Sequence, residues 1–447
     1  MSDEPYSVVE ERLNDYRKEL FDLLRIPGVS ATGERLRETA DAVEALLDRY
    51  GFTTEQIPTS GAPLVYGEVG ADPATPTILF YGHYDVQPAG DPDAWDSPAF
   101  EPTVRDGAIY ARGAGDNKGQ FLAHAFAVDA LRRSGDDLPV TVKLLVEGEE
   151  ESGSDGLRDY LADDPERLAC DLIYVSDGPM HRSRRPTLIF GNRGILAFEV
   201  AIETARSDLH SGNFGGPVPN AGNRLVSLLS SMVGRDGEIR VDGAEEDVAV
   251  TAEMREAARN VPVDSDGLKR DVGVDAFTVP DAEYYERLLV TPNASVNGLS
   301  CGYGGPGMKT IVPHEATGKV DFRLVPDQDP DRVFDCVRDH VSDHEPNATV
   351  ERLGSFPPVS TPLDTPVADP VRAALQEAWG EEPVELPLLG GSLPAAYLGR
   401  AVDAPILVVP YANPDQDNHA PNEHFDLACF ENGIRTSVAV IERLSTV

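Results

Sequence analysis

Thr77-Ile78-Leu79-Phe80-Tyr81-Gly82-His83-Tyr84-Asp85-Val86 begins as a nearly unbroken apolar run and ends on a histidine and a carboxylate. Unbroken apolar runs suit strands buried on both faces, whereas half-buried strands alternate. The same pattern recurs at residues 140–146, at Leu172–Val175 and in Ile406-Leu407-Val408-Val409. Between these runs Phe121, Ala125 and Val128, with Leu122 and Phe126 beside them, have helical spacing. Arg132-Arg133-Ser134-Gly135 then supplies a positive end and a glycine stop. Nearer the start, residues 8–24 and 36–50 read as amphipathic helices, the second capped by Gly51. Buried strands alternating with helices predict an α/β layered domain, its sheet mixed and largely parallel, with helices on both faces.

The period changes in the middle of the chain. Phe198, Val200 and Ile202 alternate with Glu199, Ala201 and Glu203, and Val320, Phe322 and Leu324 alternate with Lys319, Asp321 and Arg323. These predict half-buried antiparallel strands. Leu225, Leu228, Leu229 and Met232 fall at i, i+3, i+4 and i+7, the stripe of a helix that covers one face of such a sheet. The Pro-rich stretch Phe356-Pro357-Pro358-Val359-Ser360-Thr361-Pro362 reads as a linker, after which the buried-strand pattern returns. The expectation is an inserted α+β domain over residues 188–358, within a discontinuous α/β domain of residues 1–187 and 359–447.

The 447 residues carry 38 Lys+Arg against 77 Asp+Glu, a formal charge of −39. Nucleic acids and anionic membranes are held by Lys and Arg, so this surface argues against both as partners. Only 6 of the cations are Lys, against 32 Arg, and 43 of the acids are Asp, which resembles a halophile's surface. At molar salt the screening length falls to about 3 Å and such self-repulsion becomes tolerable. Met1-Ser2-Asp3-Glu4-Pro5 shows no basic stretch leading into an apolar one, and no apolar run approaches a membrane span, so a soluble cytoplasmic protein is expected. Cys170, Cys301, Cys336 and Cys429 are widely spaced and read as packing residues rather than a thiolate site or disulfide framework.

Chemistry-bearing residues collect where the buried strands end, the edge at which open α/β sheets place their sites. His83 and Asp85 lie on one face by two-residue periodicity, and a metal-bound imidazole needs an acceptor on its second nitrogen. Asp116 lies in Gly113-Ala114-Gly115-Asp116-Asn117-Lys118-Gly119, just before the Phe121 helix. Glu147-Gly148-Glu149-Glu150-Glu151-Ser152-Gly153-Ser154 follows the strand at 140–146, and Ser176-Asp177-Gly178 follows the one at 172. Each fragment alone has an ordinary explanation: a surface histidine, a helix cap, a solvated acidic loop, a turn. Four acid-bearing strand ends, together with His419 in Asn418-His419-Ala420-Pro421-Asn422-Glu423, bring two histidines and several carboxylates to one edge. That is the donor set of a paired divalent-metal site.

These motifs, in this order along nearly the whole chain, resemble the M20 family of metallopeptidases, particularly its carnosinase-like dipeptidase branch. The resemblance implies two divalent cations per chain, zinc with manganese or cobalt as alternatives. His83, Asp116 and Asp177 would hold one, and His419, Glu151 and Asp116 the other, so that Asp116 bridges; Asp85 would orient His83. Glu150-Glu151-Ser152-Gly153 matches the family's acid motif, making Glu150 the general base. Glu149 departs from it by standing where an uncharged residue is expected. In the inserted domain His210, within Ser207-Asp208-Leu209-His210-Ser211-Gly212, matches a histidine that reaches the partner subunit's active site, which implies a homodimer. Arg323 matches an arginine that clamps a substrate carboxylate, work suited to a planar bidentate donor. Thr310, Gly391 and Ser392 match further substrate-binding positions.

The implied activity is hydrolysis of the amide bond of dipeptides, by a water activated between the two metals with Glu150 accepting its proton. An N-acyl amino acid deacylase is the alternative within the family, because the Arg323 clamp leaves the acyl side open. The LHSG form of the His210 motif favours the dipeptidase. A noncatalytic protein that kept the fold is expected to have lost a ligand or the base, and every such position is filled.

Overall fold

The apolar run at 77 forms strand Thr77–His83, central in an eight-stranded sheet of the computed structural model, which describes residues 4–70, 74–135 and 137–445. Met1-Ser2-Asp3 of the opening stretch lie outside them. In order across the sheet the strands are Thr53–Ile57, Leu64–Val69, Thr141–Glu147, Thr77–His83, Leu172–Val175, Ile406–Val408, Thr187–Ile189 and Val384–Leu386. The four from Thr141–Glu147 to Ile406–Val408 run parallel. Leu64–Val69 is antiparallel to both its neighbours, and Thr187–Ile189 is antiparallel to Ile406–Val408.

Pleating explains why these strands are apolar throughout. Ile78, Phe80, Val142, Leu144, Leu172, Tyr174 and Leu407 point into one core with helices Glu4–Leu24, Leu36–Arg49, Gly119–Arg133, Ala368–Trp379 and Leu427–Leu444. Their neighbours Leu79, Tyr81, Leu145, Ile173 and Val175 take the other face and are no more exposed. The expected α/β layering, with a mixed and largely parallel sheet flanked by helices, is the architecture found. Helix Gly119–Arg133 is buried on every side from Gly119 to Leu131, because Glu4–Leu24 and Leu427–Leu444 pack on it as well. Phe80 stacks on its His124 at 4.0 Å between centroids.

The chain divides into two compact units. The first comprises Met1–Gly191, Ser360–Leu386 and Tyr397–Val447, and the second Asn192–Val359 with Pro387–Ala396. In the second unit an antiparallel sheet runs Asn293–Cys301, Glu315–Leu324, Gly194–Glu203, Ala348–Phe356. The alternating residues behave as their period requires. Phe198, Val200, Ile202, Val320, Phe322 and Leu324 form a core with Leu225, Leu228, Leu229 and Met232 of helix Ala221–Met232, while Glu199 faces Lys319 across the other side. Residues 387–396 group here, outside the flanking α/β chain, where Arg193 Nε and Nη2 donate to the Gly390 carbonyl at 2.9 and 2.8 Å. All four cysteines are free; Cys429 is a packing residue, but Cys301 is exposed, so packing does not account for it.

Candidate active site

Strand Thr77–His83 delivers His83, fully buried, to the carboxyl edge of the first unit's sheet. Gly82 allows helix Gly119–Arg133 to approach, since a Cβ there would lie 2.5 Å from Phe121 Cβ and 2.7 Å from Asn117 Oδ1. His83 Nε2 is 3.1 Å from Asp116 Oδ1 and 3.8 Å from Asp177 Oδ2. Its Nδ1 is 3.1 Å from the Asp85 carbonyl and 3.4 Å from Asp85 Oδ1. Asp85 does more than face His83: its two carboxylate oxygens accept the backbone N–H groups of Glu150 and Glu151 at 3.2 and 3.1 Å. One buried carboxylate thus shapes both the histidine and the acidic loop.

On the other side of Asp116, Oδ2 lies 3.1 Å from His419 Nε2, which is also 3.1 Å from Glu151 Oε2. Two triads result, His83, Asp116, Asp177 and Asp116, Glu151, His419, each with one donor atom per residue within 4.8 Å of the others. Asp116 is common to both. Glu150 lies half-buried beside them, whereas Glu149 turns away toward Gly61 and Gly156. The extra glutamate of the Glu149-Glu150-Glu151 run therefore stays outside the cluster.

Electrostatics mark the cluster as unbalanced. Burial first, and then the Asp116 charge, push Asp177 up to about 7. Glu150 is raised well above the carboxylate range by burial, against the pull of His83 and with the charges of Asp177, Asp116 and Glu151 acting in the same direction as burial. Asp116 is held below its usual range despite burial, because both imidazoles hydrogen bond to it. His419 is pushed up to about 10 by Asp116 and Glu151. Asp116, Asp177, Glu150 and Glu151 packed around two imidazoles concentrate negative charge, and divalent cations would balance that charge directly. The donor set, two imidazole nitrogens with carboxylate oxygens, fits such ions.

Residues that the sequence reading quoted without a role, or passed over, hold the loops together. Gln120 Nε2 donates to the carbonyls of Gly115 and Gly178 at 2.7 and 3.2 Å, while its Oε1 accepts Tyr411 N and Ala412 N at 2.7 and 3.2 Å. Asn117 Nδ2 donates to Ser176 O at 2.7 Å and its Oδ1 accepts His83 N at 3.3 Å. Lys118, buried and lowered to about 7 by that burial, donates to Leu23 O, Ile26 O and Pro27 O at 3.3, 2.7 and 3.3 Å. Gln87 Nε2 donates to Glu151 Oε2 at 3.0 Å. The usable signal was a polar residue inside an apolar helical run, as Gln120 is beside Phe121 and Leu122.

In the second unit, His210 lies on the short strand Leu209–His210, opposite Ile311, and Ser211 N donates to Thr310 O at 3.0 Å. His210 and Thr310 are therefore neighbours, both exposed, with His210 Nδ1 accepting Gly212 N at 3.0 Å. Arg323 lies on a different sheet, on strand Glu315–Leu324 of the four-stranded one, its Nε 3.3 Å from Asp321 Oδ1. Gly391 and Ser392 follow the carbonyl that Arg193 holds, and the Ser392 hydroxyl is buried without a hydrogen-bond partner.

A carboxylate shared by two histidine-containing triads at the carboxyl edge of a largely parallel sheet is the site of a metal-dependent hydrolase. The chain belongs to peptidase family M20/M25/M40, which it matches over residues 79–443. It is 29% identical to the Cys-Gly metallodipeptidase dug1 of Schizosaccharomyces pombe, covering 100% of this chain and 98% of that one. It is 31% identical to the Beta-Ala-His dipeptidase of Homo sapiens, covering 91% and 82%. Among solved structures, the M20 family metallo-carboxypeptidase Sso-CP2 from Sulfolobus solfataricus superposes with a TM-score of 0.91 at 32% identity, covering 97% and 99%.

Proposed function

We propose that this chain is a di-metal dipeptidase that hydrolyses the amide bond of small peptides with a free carboxylate. The carrying observation is the pair of triads sharing Asp116, with Glu150 half-buried beside them. In this reading His83, Asp116 and Asp177 hold one divalent cation, and Asp116, Glu151 and His419 the second, zinc being the expected metal and manganese or cobalt the alternatives. Cations held there supply a water of lowered pKa, near 7, and positive charge at the scissile carbonyl. Glu150 takes the proton of the attacking water and passes it to the leaving nitrogen, a transfer its raised proton affinity suits. Asp85 keeps Glu150 and Glu151 in place through their backbone N–H groups.

Substrate contacts fall to residues 188–358 and the Gly391-Ser392 turn. Arg323 pairs with the carboxylate of the leaving residue, helped by Thr310, Gly391 and Ser392. His210 donates to the carbonyl oxygen of a substrate in the partner copy of a homodimer, for which residues 188–358 are the lid and dimerisation domain. Among the described residues no helix is long and apolar enough to cross a membrane. The −39 charge, by contrast, is what favours a soluble enzyme of a salt-rich cytoplasm with neither nucleic acid nor anionic membrane as partner.

Metal analysis and a substrate panel test this reading. Active protein should carry two divalent ions per chain, lose activity on chelation and regain it with Zn2+, Mn2+ or Co2+. It should release amino acids from dipeptides faster than from their N-acetyl amino acid counterparts. Turnover of the N-acetyl series alone would make it a deacylase, and one ion per chain would remove the bridging role of Asp116.

A further inference from the structure

Glu423 is fully buried four residues after His419, and every hydrogen bond its carboxylate makes is directed at the Asp116 loop or its flank. Oε1 accepts the backbone N–H groups of Gly113, Gly115 and Asp116 at 3.0, 3.1 and 3.1 Å. Oε2 accepts Arg112 Nη1 at 2.6 Å, and the Glu423 carbonyl accepts Ala111 N at 3.1 Å. Such a concave row of amides is an anion nest, here filled by a side chain of the protein itself. The loop can curl around the carboxylate because Gly113 turns through φ +86°, where a Cβ would lie 2.8 Å from Val86 Cγ1.

We propose that Glu423 is a positioning residue of the metal centre, holding the Asp116 loop and the His419 loop in one fixed relation so that Asp116 presents one oxygen to each histidine. This rests on the di-metal reading of the site. The two triads do not depend on Glu423 equally. His83 ends a paired sheet strand and Asp177 follows another by two residues, and neither is bonded to Glu423. Asp116, bonded to Glu423 directly, serves both triads; the second alone adds a further ligand tied to Glu423, His419 on the same loop, while Glu151 is held independently by Asp85 and Gln87. Loss of the Glu423 charge should therefore weaken the second cation far more than the first. A carboxylate that merely filled space would lower overall stability and leave the two cations alike.

The test is a Co2+ titration of the full-length chain, stripped of metal, followed by visible absorption. Glu423→Gln keeps the shape but removes the charge and turns an amide N–H toward Arg112. Glu423→Asp keeps charge and ion pair but cannot span the three amides, and serves if the first variant does not fold by near-ultraviolet circular dichroism. In the folded variant one Co2+ equivalent should weaken about 10- to 100-fold, the usual effect of losing an outer-shell partner, while the other changes less than about threefold. Two equivalents bound with unaltered affinity, or both weakened alike, overturn the role of Glu423. An unaltered chain that takes up fewer than two Co2+ overturns the di-metal reading and this role with it.

Discussion

His83 Nε2 and Asp116 Oδ1 lie 3.1 Å apart although 33 residues separate them in the chain. The contact joins a strand end to the turn that precedes the most deeply buried helix of the sheet layer, so the centre is built on parts that cannot shift independently. Ligand geometry of that kind makes single substitutions readable.

Glu150 and Glu151 should fail differently. Glu150→Gln is expected to retain metal while turnover falls by about 10²-fold or more, the scale of general-base catalysis. Glu151→Gln should instead lower metal content. Metal analysis beside steady-state kinetics separates the two, and an exchange of behaviours would shift the assignment by one residue along the Glu149-Glu150-Glu151 run.

If His210 serves the partner's site, mixing inactive His210→Ala chains with inactive Glu150→Gln chains should restore activity. One site of each heterodimer is then intact, with Glu150 from one chain and His210 from the other. Activity after verified subunit exchange is the measurement; no recovery would place His210 outside the partner's site.

His124 predicts an acid limit to stability. It is fully buried, hydrogen bonded only through Nδ1 to Ser437 Oγ at 3.0 Å, and burial lowers it to about 3. The folded protein resists charging this imidazole, whereas the unfolded chain accepts a proton near pH 6.5. Its contribution is therefore intact above pH 6.5 and lost as pH falls toward 3, by up to about 1.4 kcal/mol per pH unit. Urea unfolding at pH 7, 5 and 4 should show His124→Leu losing less stability on acidification than the unaltered chain. Parallel losses would mean that His124 does not set the limit.

Salt should raise melting temperature and activity together between 0.1 M and above 1 M KCl. The −39 charge repels across about 10 Å at the lower concentration and about 3 Å at the higher. If sulfate far outperforms chloride at matched ionic strength, strengthened apolar burial is the cause instead. Full stability at 0.1 M would make the acidic surface incidental and leave the peptidase assignment untouched.

The sheet was legible because burial on both faces leaves no polar positions, so residues 77–81 and 172–175 announce central strands without help from their neighbours. The donor residues were legible because each follows such a strand or precedes its helix. What sequence could not convey is which backbone amides a side chain would reach. Gln120, Asn117 and Glu423 do their work on carbonyls and N–H groups, which nearly every residue possesses, so no spacing betrays Asn117 or Glu423, and only its place in an apolar run marks Gln120. Residues 387–396 escaped for a related reason: the Arg193 guanidinium grips the Gly390 carbonyl, a contact that leaves no trace in hydropathy.

The position of Ile406–Val408 in the sheet has a consequence for biosynthesis. It pairs with Leu172–Val175, and the Tyr174 and Tyr411 hydroxyls that meet nearby at 2.9 Å are 237 residues apart. At about 5 to 20 residues per second, a ribosome takes roughly ten to fifty seconds between the two. Throughout that interval the nascent chain displays an apolar strand with an open hydrogen-bonding edge, its rightful neighbour not yet made. Such an edge is a template for illegitimate pairing, and it stays open until residues 406–408 emerge to close it.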